Sequence, residues 1–412
     1  MTIYPLAAVR TLALHTQGLL HNTTPTPDPQ SIASLLDQLG AVQIDTLQMV
    51  QRSHYLALWS RLGKYDPGDF DRMIYTNEQR RLFEGWMHAA CILPLRDYRF
   101  QMPHQRKARE VGSSWFRGWI EQPGNAELLT MVRQRILQEG AVRTQDFEYS
   151  GPRRDSWWDW KPAKLALEYL FTFGELMIAG RDNFKRIYDM TERVLPAWVD
   201  RTEPSPEGRD RYWVELGVRA LGACKPNQAG DYSYRGQTSN KQAVRSLLEA
   251  GVLQLIQSRL ADGEVQELLV HRDNLEALQQ SADGALQARR TTFLSPFDSL
   301  FWARGRDQLF WNFRQVLEAY KPRSQQIWGY FCLPILHQDR LVGRFDPKLE
   351  RKNGLLRLKA LYLEPEIEPA DELVLAVAQA MRDFLAFHSA SELTIECSEP
   401  AEFGRKLLAA MA

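Results

Sequence analysis

The chain has 412 residues, 44% of them hydrophobic and 25% charged, with 51 cationic and 51 anionic side chains. It is too long for one ordinary core, its composition is that of a folded globular protein, and it lacks the global positive charge that would by itself announce nucleic-acid binding. Acidic residues gather after Glu364, however, which leaves a net basic body before them.

In chain order, apolar periodicity predicts helices over 6–19 and 30–39, the second ended by Gly40. AVQID (41–45) then reads as a strand. Further helices fit 50–62 and 68–82, and LFEGWMHAACILP (82–94) supplies a hairpin. In a strand, residues i and i+2 share a face. Gln43 and Asp45 should therefore project together while Val42 and Ile44 face the core. Two polar groups on the solvent face of an edge strand are ordinary. The other reading is a chemical site, with Arg52, His54 and Tyr55 of the following segment as neighbours. His88, in WMHAACILP, reads either as a core histidine or as a contact to a ligand.

A second group runs from the helix NAELLTMVRQRILQEG through RTQDFEY to the helix KPAKLALEYLFTFG, closed by Gly174. The hairpin ELMIAG/FKRIYDM follows, with a turn at Arg181-Asp182-Asn183. Before the second helix lies SWWDWKPAKL. There Trp157 and Trp158 beside Lys161 and Lys164 suit base stacking and phosphate contact, or simply interior packing around Pro162.

The third group is clearest. A helix over 210–222 leads into the polar stretch KPNQAGDYSYRGQT. Ser239 is placed to cap the helix NKQAVRSLLEAG, which Gly251 ends, and VLQLIQ and VQELLVH form a hairpin around Ala261-Asp262-Gly263. Arg235, Lys241 and Arg245 make this segment basic. Lys241 and Arg245 share a helix face at i, i+4, which suits phosphate contact as well as a plain solvated surface. Helix, helix, hairpin is the order of a winged helix, and it recurs three times. Residues 281–290 read as a linker. Beyond them three strand-like runs, a long helix and ELTIEC predict a different, β-rich body.

The expected fold is therefore α+β: tandem winged-helix domains (1–120, 121–200 and 201–280) followed by a small C-terminal β-rich, barrel-like domain with a helix (281–412). Cys91, Cys224, Cys332 and Cys397 are far apart and no Cys/His spacing suits a metal. Reduced thiols, no metal and no cofactor are expected. The N-terminal segment lacks the basic start and small-residue cleavage site of a signal peptide, and no run approaches the roughly 18 apolar residues of a membrane span. A cytoplasmic protein is expected. GxSxG and Gly-rich phosphate loops are absent, which disfavours serine-nucleophile and nucleotide-triphosphate enzymes.

VQIDTL, RSHYLALWSRLG, WMHAACILP, SWWDWKPAK, LSPFDSLFW, WGYFCLPIL and RLVGRFDPK, in that order over about residues 40–350, together resemble the AlkZ/YcaQ-type DNA glycosylases. The Gln-aliphatic-Asp signature matches the YcaQ branch. The resemblance implies tandem winged helices around double-stranded DNA, excision of N7-alkylated purines, unhooking of alkyl interstrand crosslinks, and catalytic roles for Gln43 and Asp45. A monomer acting without a cofactor is expected. The alternative from another class is a non-enzymatic winged-helix regulator, which would need no Gln43/Asp45 pair.

Overall fold

A computed structural model describes residues 2–20, 27–111, 114–147, 162–234 and 236–412. These form a mixed α+β structure that divides into two compact units. One comprises 1–67, 87–91 and 210–412, the other 68–86 and 92–209. Chain order and compactness thus part company early: residues 68–86 and 92–120 belong with 121–209, while 1–67 and 87–91 belong with the C-terminal half.

The larger unit begins with helices Leu6–Thr16 and Pro29–Leu39. Asp28 caps the second helix in a reciprocal box with Ser31. Gly40 ends it at φ +73°, and a β-carbon there would lie 2.7 Å from the Leu216 side chain. Both the left-handed backbone and the close approach call for glycine. The third predicted group is present as helix Pro206–Leu221, strand Ala223–Cys224, helix Gln237–Glu249 and the hairpin Leu253–Arg259/Val265–His271. Its sheet has four strands, with Ile3–Tyr4 adding in parallel beside Leu253–Arg259. The helix begins three residues earlier than expected. Gly236 is its N-cap, and the Ser239 hydroxyl donates to the Gly236 carbonyl from within the first turn instead of capping it.

The expected linker is no free tether. The Arg289 N–H donates to the Leu20 carbonyl at 3.0 Å, Arg290 is buried, and its carbonyl accepts from the Gln338 N–H at 2.8 Å. Apolar side chains at Leu286 and Ala288 pack on the core and hold the segment down.

The C-terminal sheet has six strands. Thr291–Phe293, Leu333–His337, Arg340–Glu350, Leu355–Leu363 and Glu392–Ile395 pair in that order, and Ser398–Glu399 also pairs with Leu355–Leu363. Register shifts after Ile335 and Asp346 bend it. It curls into a half barrel, with helix Asp371–Phe387 against it and a last helix, Ala401–Met411, that periodicity did not reveal.

In the smaller unit, Leu129, Val132 and Ile136 of helix Asn125–Glu139 meet Ala166, Leu167 and Leu170 of helix Pro162–Thr172. They lie over a three-stranded sheet of Val142–Arg143, Lys185–Met190 and Leu176–Asp182. The hairpin turn falls on Asn183-Phe184, both at positive φ as a two-residue turn demands, not on 181–183. The helix expected over 68–82 stops at Tyr75, and Leu82–Trp86 is a strand that places Glu84 in the interior.

Candidate active site

The segment around Gln43 and Asp45 lies in the larger unit. The strand is shorter than AVQID suggests and covers only Val42–Gln43. Burial nevertheless alternates as a strand would make it: Val42 and Ile44 are buried, Gln43 and Asp45 half-buried. Hydrogen bonds extend the order past the strand. The Ile44 N–H donates to the Ala90 carbonyl at 2.8 Å, and the Ser53 hydroxyl donates to the Gln43 carbonyl at 2.7 Å.

Asp45 occupies an Asx turn, its Oδ1 accepting from the Leu47 N–H at 2.8 Å. Burial pushes its carboxyl above the ordinary aspartate value, against the opposing pull of the Leu47 and Thr46 amides and the Arg52 charge. Arg52 begins the next helix, and its Nη1 donates to the Thr46 carbonyl at 2.9 Å. The loop is also clamped from the C-terminal sheet, where the Leu349 N–H donates to the Met49 carbonyl at 2.9 Å and Arg351 donates to the Val50 carbonyl. Asp45 therefore sits on a backbone fixed at several points, half out of water, with an arginine in electrostatic reach. Tyr320, largely exposed, feels the Asp45 charge and is raised by burial and that charge.

The other candidates separate. His54 is buried at 3% exposure on the inner side of helix Ser53–Leu62 and is a core residue, because that helix turns it away from the surface. Tyr55 is half-buried, and its carbonyl accepts from the Tyr65 hydroxyl. His88 belongs to the same unit as Asp45. Its ring is half-buried and stacked on Trp302 at 4.7 Å and 1°, and burial lowers its pKa. Lys241 and Arg245 are exposed on helix Gln237–Glu249, where Arg245 pairs with Glu249 at 2.8 Å. Lys164 is half-buried on helix Pro162–Thr172 of the smaller unit. Trp157, Trp158, Lys161 and Arg235 lie outside the described residues.

Four of the quoted sequence stretches prove to be partners in two pairs. Arg61, from RSHYLALWSRLG, makes a bidentate pair with Asp298 of LSPFDSLFW at 2.6 and 2.8 Å, both side chains sealed from water. Asp346 of RLVGRFDPK accepts from the Tyr330 and Phe331 N–H groups of WGYFCLPIL at 2.9 and 3.0 Å. Gly329 sits so close that a β-carbon would fall 2.6 Å from Asp346. Sequence reasoning missed these supporting roles. The available signal was an aspartate embedded in each of two apolar runs, which demands a buried partner.

Among the described residues no group of His, Cys, Asp and Glu could hold a metal ion, and no helix is long and apolar enough to cross a membrane. A half-buried carboxylate on a backbone fixed at several points can stabilise a cation and orient water, the needs of glycosidic hydrolysis.

That chemistry is the business of DNA glycosylases, and the sequence model of the family described as "DNA glycosylase AlkZ-like" matches residues 36–387. The chain belongs to this family and is a DNA glycosylase. Among solved structures it is similar to the DNA glycosylase AlkZ of Streptomyces sahachiroi, with a TM-score of 0.63 and 14% identity. The match covers 96% of this chain and 100% of the other, and at that identity it speaks for the fold.

Proposed function

We propose that the protein hydrolyses the N-glycosidic bond of N7-alkylated purines in double-stranded DNA and unhooks alkyl interstrand crosslinks, with Asp45 and Gln43 as its catalytic residues. The observation that carries this reading is the half-buried Asp45 carboxylate, two residues after Gln43 and fixed by the Leu47 amide, within the family match. An N7-alkylguanine already bears positive charge. When its C1′–N9 bond breaks, the electron pair goes to N9 and the base leaves neutral, so no general acid is needed. The sugar becomes an oxocarbenium ion. Asp45 stabilises that cation and takes a proton from the attacking water. Gln43 cannot ionise and holds the water or the sugar by hydrogen bonds. The products are a free base and an abasic site, without a covalent enzyme intermediate and without a metal or cofactor.

We read the three helix–helix–hairpin groups as winged helices that follow the duplex. Lys241, Arg245 and Lys164, with Trp157, Trp158, Lys161 and Arg235, are the candidates for phosphate and base contact. The protein acts as a monomer in the cytoplasm. Incubation with a duplex carrying one N7-methylguanine, and with a mustard-crosslinked duplex, tests the reading. Free base and abasic sites accumulate if it holds; intact lesions on both substrates overturn it.

A further inference from the structure

The residues just before helix Gln237–Glu249 carry an arrangement that hydrolysis leaves unused. Tyr234 is a large aromatic side chain left 61% exposed, and its backbone stands at φ +56°, in the left-handed region that non-glycine residues avoid. Such strain persists only where surrounding structure holds it, and it concentrates at functional positions. Here the holding structure is visible. Arg304 Nη2 donates to the Tyr234 hydroxyl at 2.9 Å, and its guanidinium lies 5.6 Å from the ring centre. Arg304 is itself pinned through its backbone. Its N–H donates to Asp231 Oδ2 at 3.1 Å, and its carbonyl accepts from Gln228 Nε2 at 2.8 Å.

This aromatic–arginine couple is tied to the catalytic strand twice. The His88 ring meets Tyr234 edge-on at 5.4 Å, and two residues on, the Ala90 carbonyl accepts the Ile44 N–H. The Tyr232 hydroxyl donates to the Leu39 carbonyl at 2.8 Å, just before Gly40 and the strand. A solvated surface needs neither a strained backbone nor a buried scaffold under an exposed ring.

We propose that Tyr234, seated by Arg304, stacks on a nucleobase beside the lesion and so forms part of the DNA-binding site. The inference rests on the glycosylase reading above. A ring presented to a duplex gains a face-to-face contact with an unstacked base, whatever its identity. The neighbouring guanidinium serves the flanking phosphate once DNA arrives.

The test uses the full chain and a duplex with 2-aminopurine next to an N7-methylguanine whose 2′-fluoro sugar resists hydrolysis, so that binding is read without turnover. The wild type, Tyr234→Phe and Tyr234→Trp should change the 2-aminopurine fluorescence on binding. Tyr234→Ala should lose that change and bind about 5- to 100-fold more weakly, as expected for one lost base–aromatic stack, with an unchanged thermal midpoint. Full signal and affinity in Tyr234→Ala would overturn the inference. Equal loss in Tyr234→Phe would also overturn it, because the hydroxyl and not the ring would then be the active part. Excision from the ordinary sugar by the wild type is measured alongside. Its absence would sink the glycosylase reading, whereas its presence with an unaffected Tyr234→Ala would sink this inference only.

Discussion

Replacing Asp298 with alanine should cost more stability than any surface change in the molecule. Arg61 would keep its bonds to the Gln17, Ala57 and Ser60 oxygens but lose the only carboxylate facing it among the described residues. Its guanidinium would be left charged in a site where the two side chains are 1% and 0% exposed. Breaking a buried ion pair from one side costs about 3–5 kcal/mol, because the remaining charge stays desolvated. The Leu300 N–H, which also donates to Asp298 at 3.0 Å, would lose its partner and add to that cost. Arg61→Met with Asp298→Leu removes both charges and should recover most of the loss. The assay is urea unfolding followed by a tryptophan signal, with Trp59 and Trp302 reporting on this region. The chain has two compact units, so their transitions must be fitted separately. A cost below about 1 kcal/mol for Asp298→Ala, or a double variant no better than the single, would refute the argument.

Other consequences follow from ionisation and burial. The acid limb of the excision rate should lie above the ordinary aspartate range, because burial raises the Asp45 pKa and the ionised form is the working one. Linkage has the matching sign: the folded state holds that proton more tightly, so stability falls as pH rises from the unfolded toward the folded pKa. In the smaller unit, Glu84 is buried beneath Arg181, with bonds of 2.7 Å to both of its oxygens and a third from the Tyr75 hydroxyl at 2.8 Å. Burial works to raise its pKa and these partners outweigh it, so the value is lowered. Its contribution is present above the unfolded carboxyl pKa and disappears as pH falls through the folded value. Glu84→Ala should destabilise this unit by about 3–5 kcal/mol, seen as earlier proteolysis within 92–209, while cleavage of the larger unit is unchanged.

Periodicity made much of the fold legible because helix–hairpin units obey local rules. Capping at Asp28, the left-handed exit at Gly40 and the 253–271 hairpin are all local decisions. What escaped was non-local. The Thr291–Phe293 strand is only three residues long, and it exists because Leu333–His337 offers an edge. Residues 281–290 look like a linker by composition and are held by contacts nearly 270 residues away in sequence. For the site, alternation in VQID exposed Gln43 and Asp45, but strand pairing ends at Gln43, and an Asx turn carries Asp45. His54 misled because Arg52 and Tyr55 beside it resemble a surface, whereas the helix phase turns it inward. Tyr234 went unnoticed because only its backbone conformation and Arg304, 70 residues on, distinguish it.

The central claim is that Asp45 is the catalytic carboxylate. Single-turnover release of base from an N7-methylguanine duplex, measured for the wild type and for Asp45→Asn at equal DNA occupancy, tests it most directly. The account predicts normal binding by the variant and a loss of at least about 100-fold in the rate of base release, the scale seen when a transition-state stabiliser is removed. Release by Asp45→Asn within a few-fold of the wild type would contradict it.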